Sequence, residues 1–130
     1  MIKLNLNPKG WKADDCVIRA IAYATVQSWD KVYEDLCKLG FKKKRMPNEK
    51  LVYEEYLKQL GWEKHKQPRK WDNTKYTVNE FIKEFPHNVY IISVANHLTA
   101  IANNDIVDIW DCGRKSVGNY WEEKNNGKSN

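Results

Sequence analysis

The sequence predicts an α+β fold, with N-terminal helices packed on a small C-terminal antiparallel sheet. Three observations predict it. Apolar residues recur at helical spacing through the first part of the chain. From residue 89 onward they become β-branched and aromatic, in short runs separated by Asn-rich turns. The two patterns follow one another instead of alternating, which is the α+β order.

Taken in order, residues 4–12 read as a loop, because Pro8 and Gly10 break regular structure. Asp14 or Asp15 then caps a helix ending near Thr25. Its residues Val17, Ile18, Ala20, Ile21, Ala22 and Ala24 are apolar nearly all round, as in a buried helix. Ser28 caps a second helix in which Trp29, Val32, Tyr33, Leu36 and Leu39 keep helical spacing and Gly40 is the stop. Residues 41–47 follow as a basic loop. Asn48 opens a third helix, with Leu51, Val52, Tyr56 and Leu60 as its buried stripe, Tyr53 and Leu57 beside it, and Gly61 ending it. Residues 62–76 read as a polar, basic connector whose Trp62 and Trp71 pack down onto the domain. Thr77-Val78-Asn79-Glu80 is a capping box. It starts a short fourth helix with Phe81, Ile82 and Phe85 on its apolar side and Pro86 at its limit.

Val89-Tyr90-Ile91-Ile92-Ser93-Val94-Ala95 is the first strand, and Leu98-Thr99-Ala100-Ile101-Ala102 the next. Asn103-Asn104-Asp105 has turn chemistry, and Ile106-Val107-Asp108-Ile109-Trp110 returns. A second turn at Cys112-Gly113-Arg114-Lys115 leads to a further strand within residues 116–121. Residues 1–122 make one domain, and 123–130 a polar tail expected to fray.

The length of 130 residues is that of one domain, and 42% AVILMFWYC with 12% aromatic residues supplies one core. No run approaches the roughly 20 apolar residues of a membrane helix. Met1-Ile2-Lys3-Leu4-Asn5 lacks the apolar centre of a signal peptide, so the expected compartment is the cytoplasm. Cys16, Cys37 and Cys112 are expected there as thiols. They are too scattered for a zinc knuckle, so neither metal nor cofactor is expected. The net charge of +5 comes largely from Lys42-Lys43-Lys44-Arg45 and residues 64–70. Solvated loops are the plain reading, and a docking patch for an acidic protein is the sharper one. Nucleic acid is disfavoured as a partner because no nucleic-acid motif accompanies the charge.

The chemistry centres on Asp14-Asp15-Cys16-Val17-Ile18-Arg19. Cys16 falls in the first turn of a buried helix, where free backbone N–H groups and the positive dipole end favour a thiolate. A thiolate nucleophile calls for a base and a group that orients the base. His97 heads an apolar strand, and Asp108 or Asp111 follows on the next. The hairpin register separates the two acids. A two-residue turn at Asn103-Asn104 puts Asp108 on the histidine's face, whereas a three-residue turn through Asp105 pairs His97 with Asp111. Asp14 and Arg19 are read as structural.

Cysteine on an early helix, histidine on a late strand and an acid on the following strand resembles the papain-like cysteine peptidase superfamily. Asp15-Cys16 has the look of its compact bacteriocin-processing members. More narrowly, Asp15-Cys16-Val17-Ile18-Arg19-Ala20, Met46-Pro47-Asn48, His97-Leu98 and Asp108-Ile109-Trp110-Asp111 resemble a group of phage- and prophage-encoded proteins, over roughly residues 7–121. The resemblance implies a papain-like fold, a Cys16–His97–Asp108 triad with Asp111 as second choice, and a host bacterial cytosol. In papain-like enzymes a tryptophan shields the orienting residue, and Trp110 matches it. Such enzymes also place an oxyanion-binding Gln near position 10. Here Gly10 stands there, and Asn7 is the substitute, with Lys12 behind it.

Three functions follow. The first is a cysteine peptidase, or a related thiol-dependent acyl hydrolase or transferase, acting on a protein or peptide. The second is a weak or inactive scaffold of the same fold that grips a host protein or a small molecule. The third is nucleic-acid binding through the basic loops, with Trp62 and Trp71 as stacking surfaces.

Overall fold

The structure is a computed structural model that describes residues 1–124. The expected tail at 123–130 lies, from residue 125 on, outside the described residues. Its first residue, Glu123, closes a strand.

The helices follow the predicted order: α1 (Cys16–Thr25), α2 (Trp29–Lys43), α3 (Lys50–Gln59) and α4 (Val78–Glu84). The strands are β1 (Ile2–Lys3), β2 (Trp62–His65), β3 (Tyr90–Val94), β4 (His97–Ala102), β5 (Asp105–Asp108) and β6 (Tyr120–Glu123). They form one six-stranded sheet in the order β1-β5-β4-β3-β6-β2. The class is therefore α+β, but the sheet is mixed, because β1 runs parallel to β5 while the other pairs are antiparallel.

The sheet divides two apolar clusters. On one side Ile91, Leu98, Ala100, Trp62 and Trp121 pack with α1, α2 and α3, through Ile21, Val32, Leu36, Val52 and Leu57. On the other, Tyr90, Ile92, Val94, Ile101 and Ile106 meet Val78 and Phe81 of α4 together with Cys112 and Val117. Alternation along β3 sends Ile91 to one cluster and its neighbours Tyr90 and Ile92 to the other. α1 rests on β4, and this contact brings the front of the helix to the start of the strand.

Several local expectations change. The connector at 62–76 contains edge strand β2, paired with β6 from Trp62↔Glu123 to His65↔Tyr120. An edge strand needs few buried side chains, so Trp62 turns inward while Glu63 and Lys64 stay exposed. Trp71 does not pack down; it is 96% exposed. α2 runs through Gly40 to Lys43 and is ended by Lys44 in the left-handed conformation, with φ 60. α3 starts at Lys50 after Asn48, and its buried face is Val52, Tyr53, Tyr56 and Leu57, leaving Leu51 and Leu60 exposed. The Thr77–Glu80 capping box is present as expected. Among the described residues no helix is long and apolar enough to cross a membrane.

Candidate active site

Cys16 is the first residue of α1, and its N-terminal neighbour Asp15 occupies the cap position. The Asp15 side chain makes no cap hydrogen bond. Its carboxylate turns back into the protein: Oδ1 accepts from Arg19 Nε at 2.8 Å, and Oδ2 accepts from Trp29 Nε1 at 3.0 Å and Asn7 Nδ2 at 3.1 Å. With no side chain capping it, the positive end of α1 is left beside the Cys16 thiol.

The β3–β4 hairpin turns through Ala95-Asn96, with Asn96 at φ 55 and Val94 paired to His97. His97 therefore starts β4. The next hairpin resolves the choice of acid. Ala102 pairs with Asp105 across Asn103 and Asn104, both at positive φ (51 and 63). This is the two-residue loop that follows the sheet's twist. The register Ala100↔Val107 then sets Thr99 across from Asp108, on the same face of β4 as His97.

The hydrogen bonds follow that register. Asp108 Oδ2 accepts from Thr99 Oγ1 at 2.7 Å and from His97 Nε2 at 2.6 Å. Asp108 Oδ1 accepts from Ile109 N at 2.7 Å and from Arg19 Nη1 at 2.9 Å. Asp111 serves a turn instead, its Oδ1 accepting from Gly113 N at 2.9 Å. Trp110 sets its ring edge-to-face on His97, with centroids 4.8 Å apart and planes at 89°.

The electrostatics run along one chain of contacts. Asp108 is 3% exposed, and burial alone would raise its pKa, but His97, Thr99 and Arg19 bring it down to about 2. An ionised carboxylate only accepts, so His97 Nε2 carries the proton in their bond and Nδ1 is left for the thiol. Burial pushes the His97 pKa down, yet Asp108 and Cys16 together lift it to about 9. Burial pushes the Cys16 thiol up, and His97, the backbone N–H of Leu98 and the Arg19 charge more than reverse this, so its pKa is lowered. Cys112 is the contrast: buried without such a partner, it is pushed up to about 11. The arrangement favours a thiolate facing an imidazolium, the ground state of a thiol nucleophile.

Two clefts meet at this pair. One, of about 410 Å³, runs past Val17, Lys50, Tyr53 and Ser93. The other, of about 430 Å³, runs past Ala13, Asp14, Ile109 and Trp110. Cys16, His97, Asn48 and Asn96 line both. A larger hollow of about 680 Å³, between α3, β2 and the end of α2, shares no residue with either cleft.

Cys16, His97, Asp108 and Trp110 are thus brought together, and Asp111 is not. The Asn7 amide is engaged with Asp15 Oδ2, and Asn7 lines neither cleft. Arg19, read as structural, joins Asp15 to Asp108 and so to the histidine. Its signal was present: an arginine inside an otherwise apolar helix, four residues after an aspartate, is buried only if paired. Thr99 and Trp29 carried no comparable signal. Among the described residues no three His, Cys, Asp or Glu side chains converge as a metal site would. No protein-family model, curated protein or solved structure matches the chain.

Proposed function

We propose that the protein is a papain-like, phage-encoded cysteine peptidase, or a related thiol-dependent acyl hydrolase or transferase, with Cys16 as nucleophile. The observation that carries this reading is the His97 ring, held through Nε2 by a buried, ionised Asp108 with its other nitrogen left for a thiol of lowered pKa.

The Cys16 thiolate attacks a substrate carbonyl. A C–S bond forms, and the carbonyl π pair moves onto oxygen. Collapse restores the carbonyl and expels the amine, which takes the Nδ1 proton of His97. His97 then removes a proton from water, or from an acceptor amine, as that nucleophile attacks the thioester and the thiolate leaves. Asp108 stays ionised throughout and fixes the ring's tautomer and direction. Open clefts on both sides of Cys16 suit a chain that continues past the scissile bond in both directions. The hollow beside α3 gathers Lys43, Arg45, Lys58, Lys64 and Lys124 against Glu54, Glu55 and Glu63, an excess of positive charge that suits an acidic partner protein.

The test is competitive alkylation by iodoacetamide, read peptide by peptide. Cys16 is expected to react at least about tenfold faster than Cys37 and Cys112 at neutral pH, and to lose that advantage in His97→Ala. Equal reactivity of the three thiols, or a Cys16 rate indifferent to His97→Ala, would overturn the reading.

A further inference from the structure

The Met46-Pro47-Asn48 segment plays no part in the triad, yet the fold holds it firmly against the site. Glu49 N donates to Met46 O at 3.1 Å, closing a four-residue turn with Pro47 and Asn48 at its centre. Those two positions suit the two residues, since proline presets the first dihedral and asparagine tolerates the second. Glu49 locks the turn from outside: Oε2 accepts from Met46 N at 2.9 Å, and Oε1 accepts from Arg45 Nη1 at 3.0 Å.

Gly40 seats this turn on α2. A Cβ there would stand 2.6 Å from Arg45 O and 3.3 Å from Pro47 N. The missing side chain is what lets the backbone of residues 45–47 lie on the helix. That accounts for a glycine inside α2 where a stop was expected.

The braced turn delivers Asn48 to the junction of the two clefts, beside Cys16 and His97. Flanking polar groups are engaged elsewhere, Glu49 with Arg45 and Met46, and Lys50 with Asn119 Oδ1 at 2.6 Å. Asn48 is exposed and lines both clefts. Attack by Cys16 makes a carbonyl oxygen anionic, and the backbone N–H of Cys16 supplies one donor to it. A second donor is required of the protein, position 10 is glycine, and Asn7 is engaged with Asp15.

We propose that the side-chain amide of Asn48, presented by the Gly40-seated turn, is the second oxyanion donor. The assignment rests on the acyl-transfer reading and assigns Asn48 as a catalytic residue within it.

The experiment uses the full chain and two probes that differ in one respect. Iodoacetamide alkylates the thiolate by displacement and makes no oxyanion. p-Nitrophenyl acetate acylates it through a tetrahedral oxyanion that expels p-nitrophenolate. For Asn48→Ala, the acylation rate is expected to fall about 10²- to 10³-fold while the alkylation rate and its pH profile stay those of the wild type. Asn48→Gln, which keeps the amide, is expected to recover part of the loss. Gly40→Ala, which displaces the turn without touching the amide, is expected to fall between. Wild-type acylation in Asn48→Ala overturns the assignment and leaves the acyl-transfer reading standing, as does a loss found only in Asn96→Gly. Parallel falls in both probes overturn it too, since Asn48 would then act through the thiol. A wild-type protein that alkylates but never acylates overturns the acyl-transfer reading itself.

Discussion

Replacing Arg19 with methionine is the sharpest structural perturbation of the site. The guanidinium is 7% exposed and bridges two carboxylates that are each 3% exposed, at 2.8 Å to Asp15 and 2.9 Å to Asp108. Methionine fills the space with apolar atoms but leaves both acids without their shared countercharge. Breaking a buried pair in this way costs about 3–5 kcal/mol, a large part of the roughly 5–15 kcal/mol that holds a domain folded. An exposed pair such as Lys38–Glu34, at 3.6 Å, contributes at most about 1 kcal/mol and serves as the control. Urea unfolding at neutral pH is the assay, and the midpoint is expected to drop by about 1 M or more with the slope unchanged. The sign of the pH dependence follows from the acids. Both have lowered pKa values in the folded protein, Asp108 at about 2, so their contribution is present above the ordinary carboxyl range and fades as pH falls toward that value. In Arg19→Met burial acts with less opposition and the folded-state values rise. The deficit against wild type is therefore full at neutral pH and closes in acid. Adding Asp15→Asn to Arg19→Met is expected to restore part of the stability. A deficit under about 1 kcal/mol, or one equal at neutral and acid pH, would refute the reasoning.

The pH profile of Cys16 alkylation is expected to rise through a midpoint below that of an ordinary thiol, and His97→Ala to move it upward, because burial is then opposed only by the Leu98 N–H and the Arg19 charge. The folded His97 pKa of about 9 is above its ordinary value, so its stabilising ion pair is complete below the ordinary imidazole range and is lost as pH rises through about 9; thermal melts across that range check the sign. Gly113→Ala would drive a methyl group into the Asn79 side-chain amide, where Asn79 N already donates to Gly113 O at 2.9 Å and ties this loop to α4; a loss of about 1–3 kcal/mol by urea unfolding is expected. Asn104→Gly, at φ 63 in the β4–β5 turn, is expected to stabilise the protein by up to about 1 kcal/mol while leaving Cys16 reactivity unchanged, since the register that presents Asp108 is kept.

What could be read from the chain had local causes. The start of α1 at Cys16, the Thr77–Glu80 box and the Asn103-Asn104 turn each depend on neighbours a few residues apart. The sequence allowed either a two- or a three-residue loop there, and the observed pairing of Ala102 with Asp105 is the two-residue one. What escaped reading depends on distant partners. β2 is a strand because β6 pairs with it, and Glu63 and Lys64 on an open edge leave no apolar run to detect. β1 is two residues long and exists through its parallel match to β5. Asp14 or Asp15 was expected to cap the helix; Asp15 holds the cap position but turns its carboxylate to Arg19, because a buried arginine outweighs a cap that the helix can do without. Trp71 was expected to pack, but the turn closed by Lys70 N to Thr74 O holds it outward.

The lowered thiol pKa has a consequence for following the protein as it assembles. Cys16 and His97 lie far apart along the chain, and they meet only when the first helix settles on the hairpin. A chain with its secondary structure formed but that contact unmade carries a Cys16 that lacks the His97 partner and so reacts more slowly than in the folded protein. The rate of a brief thiol-labelling pulse therefore times one tertiary event, separately from the growth of helix or sheet seen by circular dichroism.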